Sequence, residues 1–178
     1  MNDQEPVGGM RPLAHPRLPA GGRMWGAGRP GYPAEPPPSR EVEAGVREWV
    51  GRGVEVVVNL MEDWELPRRC PGLLEAVRRH DLELLRFPIA DFGVPADAGA
   101  FRTLVEDIRG RLARGQTVLA HCNAGLGRTA VFLGSLLRSC GYPGDPVVEI
   151  RRIYQPGAME NPTQEAFVRS FVGCGVRL

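Results

Sequence analysis

Cys122 and Arg128 stand six positions apart, with His121 before the pair and Thr129 after it. Between them lie Asn123, Ala124, Gly125, Leu126 and Gly127, all uncharged and mostly small. An apolar run, Thr117 to Ala120, leads into this segment, and an apolar-rich run follows it. That pattern reads as a strand, a tight loop and a helix. Backbone N–H groups of residues 123–128 can turn inward as a nest for an anion, and the helix start adds the positive end of its dipole. An arginine at that point offers a planar fork that matches two phosphate oxygens. Such a field favours the thiolate form of a cysteine, which is the nucleophilic form. The parts suffice to bind a phosphate monoester and attack its phosphorus with sulfur.

This His-Cys-x5-Arg-Thr segment resembles the signature of the protein tyrosine phosphatase superfamily, most strongly its small dual-specificity and kinase-associated members. The resemblance runs over roughly residues 40–173. It implies that Cys122 is the nucleophile and that Asn123, Ala124, Gly125, Leu126, Gly127 and Arg128 form the phosphate-binding loop. It also implies that Thr129 bonds the sulfur and eases its departure. The same hydroxyl could cap local N–H groups at the helix start. His121 invites a general-base reading, but adjacent side chains on a strand point to opposite faces. In the family this histidine bonds loop backbone, so the role it implies here is support.

The leaving oxygen needs a proton from another segment. Residues 82–95 read Leu-Glu-Leu-Leu-Arg-Phe-Pro-Ile-Ala-Asp-Phe-Gly-Val-Pro, a strand followed by a loop with the single carboxylate Asp91 between prolines. Its position, 31 residues before Cys122 (122 − 91), resembles that of the family's general-acid loop. The competing reading makes Asp91 a cap for the helix starting near Ala96, a task Asp97 could also perform. Near the end, Tyr154 to Val168 resembles the family segment whose amide positions the hydrolytic water. Gln164 is the matching residue there, with Asn161 as alternative. The acidic run Glu62-Asp63-Trp64-Glu65 follows another apolar strand. Relatives place a carboxylate there against the signature arginine, which points to Glu62 as a brace for Arg128, unless the run is simply a solvated turn.

A dinucleotide fingerprint overlaps the same loop: Gly125-x-Gly127-x-x-Ala130, with Asp145 twenty positions after Gly125. That fingerprint belongs to the first strand of a doubly wound domain, and only 48 residues follow Ala130 (178 − 130), patterned as helices. The second match, Gly26-x-Gly28-x-x-Gly31, contains Pro30 and precedes Pro33, so no helix can open there.

Helical and strand periodicities place the elements that must hold these groups. Helices are expected at 41–52, 71–80, 97–114, 127–140, 145–154 and 162–172. Strands are expected at 54–60, 82–87 and 117–121, with Arg23–Ala27 as a further edge strand. Alternation of strands and helices implies an α/β domain with a mostly parallel sheet of four to five strands and helices on both faces. Residues 1–40 hold nine prolines and seven glycines. Residues 1–22 are therefore read as an extended or disordered arm, and 23–178 as the phosphatase domain.

A chain of 178 residues fits one domain. A net charge of +1 offers no basis for binding nucleic acid or a membrane surface, and no apolar run suggests a span or signal core. Four cysteines without paired spacing and three scattered histidines argue for a reduced, cytoplasmic monomer with no metal and no cofactor. The expected activity is phosphomonoester hydrolysis through a phosphocysteine. Phosphotyrosine in a protein or peptide is the expected substrate, with phosphoserine or phosphothreonine as further ones, because the loop positions 123, 124 and 126 lack the lysines of phosphoinositide-specific relatives. Arg151 and Arg152 keep a polyanion in play. The alternatives are a phosphoinositide or other non-protein phosphatase, an RNA 5′-phosphatase and a weakly active phosphate-binding adaptor.

Overall fold

The computed structural model describes residues 9–173. Their elements run β1 (Arg11–Pro12), β2 (Arg23–Ala27), α1 (Ser39–Gly51), β3 (Val56–Asn59), α2 (Glu65–Arg69), α3 (Leu73–Arg79), β4 (Glu83–Arg86), α4 (Ala98–Ala113), β5 (Thr117–His121), α5 (Arg128–Ser139), α6 (Pro146–Ile153) and α7 (Pro162–Ser170). The five strands form one sheet in the order β1-β2-β5-β3-β4. Only the β1–β2 pair is antiparallel. The expected α/β domain with a mostly parallel sheet is the fold observed.

Side-chain alternation along the central strands divides the core in two. Val57 and Leu119 face one side, where Val42, Val46 and Trp49 of α1 and Leu73, Ala76 and Val77 of α3 cover them. Val56, Val58, Val118 and Ala120 face the other side, against Phe101, Val105 and Ile108 of α4 and the apolar residues of α5. Helix α5 is buried along nearly its whole length, so it carries an apolar sequence instead of a single stripe. Phe101 centres an aromatic cluster, with ring centroids 5.4 Å from Phe87, 5.7 Å from Phe167 and 6.0 Å from Phe132.

Two elements differ from expectation. Arg23–Ala27 is not an edge strand: it lies between β1 and β5, in parallel register with β5. Its sequence Met-Trp-Gly-Ala is buried on both faces, as an interior strand requires. Strand β1 takes the edge instead, so part of the expected arm joins the sheet, and Met10 and Leu13 enter the two cores. Residues 1–8 of that arm, and Cys174, lie outside the described residues. The second difference is α2, a short helix directly after the acidic run, whose five residues are too few for a periodicity to reveal.

Candidate active site

The four parallel strands β2, β5, β3 and β4 end at the same edge of the sheet, the edge where open α/β sheets bind ligands. Each delivers one piece. β5 runs into the loop 122–127, β3 into the acidic run, β4 into the Asp91 loop and β2 into Arg29. None of these segments is adjacent in sequence.

Cys122 is buried at the base of its loop. Its sulfur accepts a hydrogen bond from the Gly125 N–H at 3.3 Å, the bond expected if loop amides stabilise a thiolate. Gly125 has φ of +80°, and a Cβ there would meet the Ala27 and Gly28 backbone at 2.7 Å. Only glycine satisfies both conditions. The outer side of the turn is pinned as well: the Gly125 carbonyl accepts from the Tyr154 hydroxyl at 2.8 Å and from the Gln155 amide at 2.7 Å. The Arg29 N–H donates to the Asn123 carbonyl at 2.9 Å, and Arg29 Nε donates to the Asn123 side-chain oxygen at 2.7 Å. The loop is thus held in shape by the protein's own bonds, which is the preorganisation an anion site needs.

Arg128 opens α5 and is 2% exposed. Its fork donates to Glu65 through two bonds of 2.5 and 3.1 Å, to the Ile89 carbonyl at 3.1 Å, and to Asp91 Oδ1 at 2.9 Å. Glu65 therefore occupies the bracing position expected for Glu62. The physical reason is α2: where the chain coils at residue 65, Glu65 turns inward and is fully buried, while Glu62 stays at the loop. There Glu62 accepts a long bond from the Asp91 N–H at 3.4 Å, and its own N–H donates to Glu65 at 2.8 Å. Burial would raise the Glu65 carboxyl, but its bonds with Arg128 and the Glu62 N–H hold it below the usual carboxylate value. Burial likewise works against the Arg128 charge, and Glu65, Cys122 and Asp91 together hold that guanidinium above its ordinary value.

Asp91 is brought to the site as expected, facing Arg128 and, at 3.4 Å, Arg69 Nη1. Helix α4 is capped by Asp97, which accepts from the Ala100 N–H at 2.9 Å, so Asp91 is free of that task. The next residue, Phe92, is held in the left-handed region at φ 57°, a costly conformation for an aromatic residue. Asn161 and Gln164 secure it, donating to the Phe92 carbonyl at 2.8 Å and to the Gly93 carbonyl at 3.1 Å.

Three expected contacts take a different form. The Thr129 hydroxyl donates to the Ala27 carbonyl at 3.3 Å instead of to the sulfur, tying α5 to β2. Gln164 is fully buried with both amide ends engaged, its oxygen accepting from the Glu160 N–H at 2.9 Å. Such an amide ties two loops together beside Gly127 of the phosphate loop. Asn161, its alternative, is occupied as the cap of α7 and as the tie to Phe92. His121 is placed as a support: it is fully buried, its Nδ1 lies 3.3 Å from the Cys122 carbonyl oxygen, and burial pushes its pKa down to about 4. An imidazole of such low basicity, turned to a carbonyl and packed 5.3 Å from Trp49, is a poor base for the thiol.

Sequence reasoning missed Glu65, Arg69, Arg29 and Glu160. Arg69 gathers Glu35, Glu65 and Asp91 within 3.4 to 3.7 Å, and it lies under the exposed Trp64 ring. Glu160 reaches the loop so closely that a Cβ on Gly127 would come within 2.2 Å of its carboxylate. Among the described residues no cluster of His, Cys, Asp or Glu could hold a metal ion, and no helix is long and apolar enough to cross a membrane.

Comparison with known proteins bears on the family and the fold. A family model described as "Polymorphic toxin system, DSP-PTPase phosphatase" matches residues 33–141. The chain is similar to cyclin-dependent kinase inhibitor 3 of Rattus norvegicus, with 25% identity over 136 residues. That match covers 74% of this chain and 64% of the relative, so the chain spans less than two thirds of the relative's length. Among solved structures, kinase associated phosphatase with its catalytic-site cysteine replaced by serine superposes with a TM-score of 0.80 and 22% identity, covering 95% and 96% of the two chains. Tk-PTP in its active form superposes with a TM-score of 0.66 and 30% identity, covering 84% and 91%.

Proposed function

The chain belongs to the DSP-PTPase phosphatases of the cysteine-dependent protein tyrosine phosphatase superfamily, and on that premise we propose that it hydrolyses phosphotyrosine in proteins through a phosphocysteine, accepting phosphoserine and phosphothreonine more slowly. The observation that carries the mechanism is the convergence of Cys122, Arg128 and Asp91 on one loop. An incoming phosphate displaces Asp91 from Arg128, whose fork remains aimed by Glu65. The Cys122 thiolate attacks phosphorus, the ester bond to the leaving oxygen breaks, and Asp91 gives that oxygen its proton. In the second half a water attacks phosphorus, the P–S bond breaks, Cys122 leaves as thiolate and Asp91 recovers a proton from the water.

The aryl preference rests on the rim. Phe92 is 60% exposed and Trp64 47% exposed, and they flank the segments that deliver Asp91 and Glu65. Exposed aromatic rings beside a phosphate site suit a flat phenyl ester. The two arginines that kept a polyanion in play are engaged elsewhere: Arg151 with Glu165 and the carbonyls of Ala158 and Met159, Arg152 with Glu149. That disfavours an inositol lipid.

The test is turnover on matched phosphotyrosine and phosphoserine peptides and on a phosphoinositide in vesicles, with C122S as the blank. The phosphotyrosine peptide is expected to give the highest kcat/KM. A higher value on the phosphoinositide would overturn the substrate assignment, and turnover by C122S would overturn the mechanism.

A further inference from the structure

Helix α2 sets Glu65 and Arg69 one turn apart, so both face the site. Glu65 is engaged with Arg128. Arg69 lies nearer the rim, its Nε 3.4 Å from Glu35 and 3.7 Å from Glu65, and its guanidinium carbon 5.6 Å from the centre of the Trp64 ring. Neighbours from two segments thus fix the direction of a side chain that carries about 2 kcal/mol of rotamer entropy when free. The other end of the fork, Nη1, lies 3.4 Å from Asp91 Oδ2. Asp91 therefore spans two arginines with different oxygens. Its Oδ2 faces Arg69, while its Oδ1 accepts from Arg128 at 2.9 Å and from the Phe92 N–H at 3.2 Å.

We infer that Arg69 is a positioning residue for Asp91: it keeps Oδ2 in place when phosphate takes Arg128, and so makes Oδ1 the oxygen that carries the proton. This rests on the reading of Asp91 as general acid given above. A guanidinium offers only donors, so the carboxyl oxygen that faces it cannot be the hydroxyl oxygen. Phosphate competes for Arg128, and its arrival frees Oδ1 and not Oδ2. The Phe92 N–H stays on Oδ1, and a hydroxyl oxygen accepts such a bond while it donates its own proton. Asp91 enters the first half-reaction as the carboxylic acid, its proton taken from solvent. The Oδ1–H bond breaks as the proton passes to the leaving oxygen, and the ester P–O bond breaks. A sulfur electron pair of Cys122 forms the P–S bond, and Asp91 is left as a carboxylate beside Arg69. Glu35 and Glu65 offset the Arg69 charge, so the guanidinium orients the carboxyl group without forcing it to stay ionised. Without Arg69, an Asp91 released from Arg128 would keep only its neighbour's N–H, and its proton would be aimed at the leaving oxygen part of the time.

The test is a double-mutant cycle between R69M and D91N, read as kcat/KM, which covers the steps through release of the leaving group. The substrates are an alkyl phosphate and p-nitrophenyl phosphate, whose acidic phenol needs little protonation. R69M should slow the alkyl ester on the order of 10-fold, part of the roughly 10²–10⁴-fold that a general acid supplies, and slow the aryl ester less than about 2-fold. In the D91N background the same substitution should change either ester less than about 2-fold, because the group it orients no longer carries a proton. R69K keeps a cation beside Glu35 and Glu65 and serves the same test should R69M not fold, with the same selective loss on the alkyl ester at a smaller size. An Arg69 variant that slows both esters equally, spares the alkyl ester, or slows D91N as much as the wild type would overturn the inference and confine Arg69 to packing around Glu65. If D91N itself slows both esters equally, the acid assignment fails and takes the inference with it, so the two failures are distinguished.

Discussion

In the proposed mechanism Arg128 acts on phosphate because Glu65 aims it. Two bonds join a guanidinium that is 2% exposed to a carboxylate that is fully buried. Removing one partner of a buried pair leaves an uncompensated charge and costs about 3–5 kcal/mol. The pair also sets an acid limit on stability. Glu65 is held below its usual value, so its contribution is complete above the unfolded carboxylate value of about 4.3 and is lost as pH falls through the lower folded value. E65Q should therefore unfold at lower temperature than the wild type at neutral pH. Thermal melts across acidic pH should show that gap narrowing as the wild type loses the same interaction. A gap that persists unchanged in strong acid would mean that the charge of Glu65 is not what stabilises.

The Asp91 loop depends on α7, an element remote from it in sequence. Asn161 caps that helix through the Gln164 N–H at 3.0 Å and holds Phe92 through its amide. One side chain thus serves both helix and loop. N161A should cost about 1 kcal/mol for the lost cap and should also loosen Asp91. Leaving-group dependence reads the second effect. Like D91N but less severely, N161A should slow alkyl phosphates more than aryl phosphates with acidic phenols, which need little protonation. Equal slowing of both kinds would confine Asn161 to helix capping. The same scale explains what could be read from the sequence. The strand, loop and helix around Cys122 are contiguous, so their periodicities and glycines lie in one readable segment. Asp91 was findable because prolines isolate a single carboxylate. Which acid of the run Glu62-Asp63-Trp64-Glu65 meets Arg128 was not, because the start of α2 decides it and five residues carry no periodic signal. The contacts of Gln164 were hidden for a related reason: only the packing of loops shows that its amide ties the backbone of Glu160 to that of Gly93.

Across the whole molecule, the parallel strands bring four separate loops to one edge, and the two cores fix those strands in register. Strand β2 belongs to this frame, although its glycine and its proline-rich flanks concealed it as a central strand. Burial also separates the cysteines: it pushes Cys70 up to about 12 and Cys140 up to about 11, leaving both as inert thiols near neutral pH. Cys122 is the described cysteine whose sulfur accepts a loop N–H. The account therefore turns on one covalent bond. Acid quenching of the enzyme during turnover of p-nitrophenyl phosphate, followed by peptide mapping, locates the phosphoryl group. It should be found on Cys122 in the wild type and be absent from C122S, whose turnover should fall by several orders of magnitude. A phosphoryl group on another residue, or C122S that still turns over, would contradict the account.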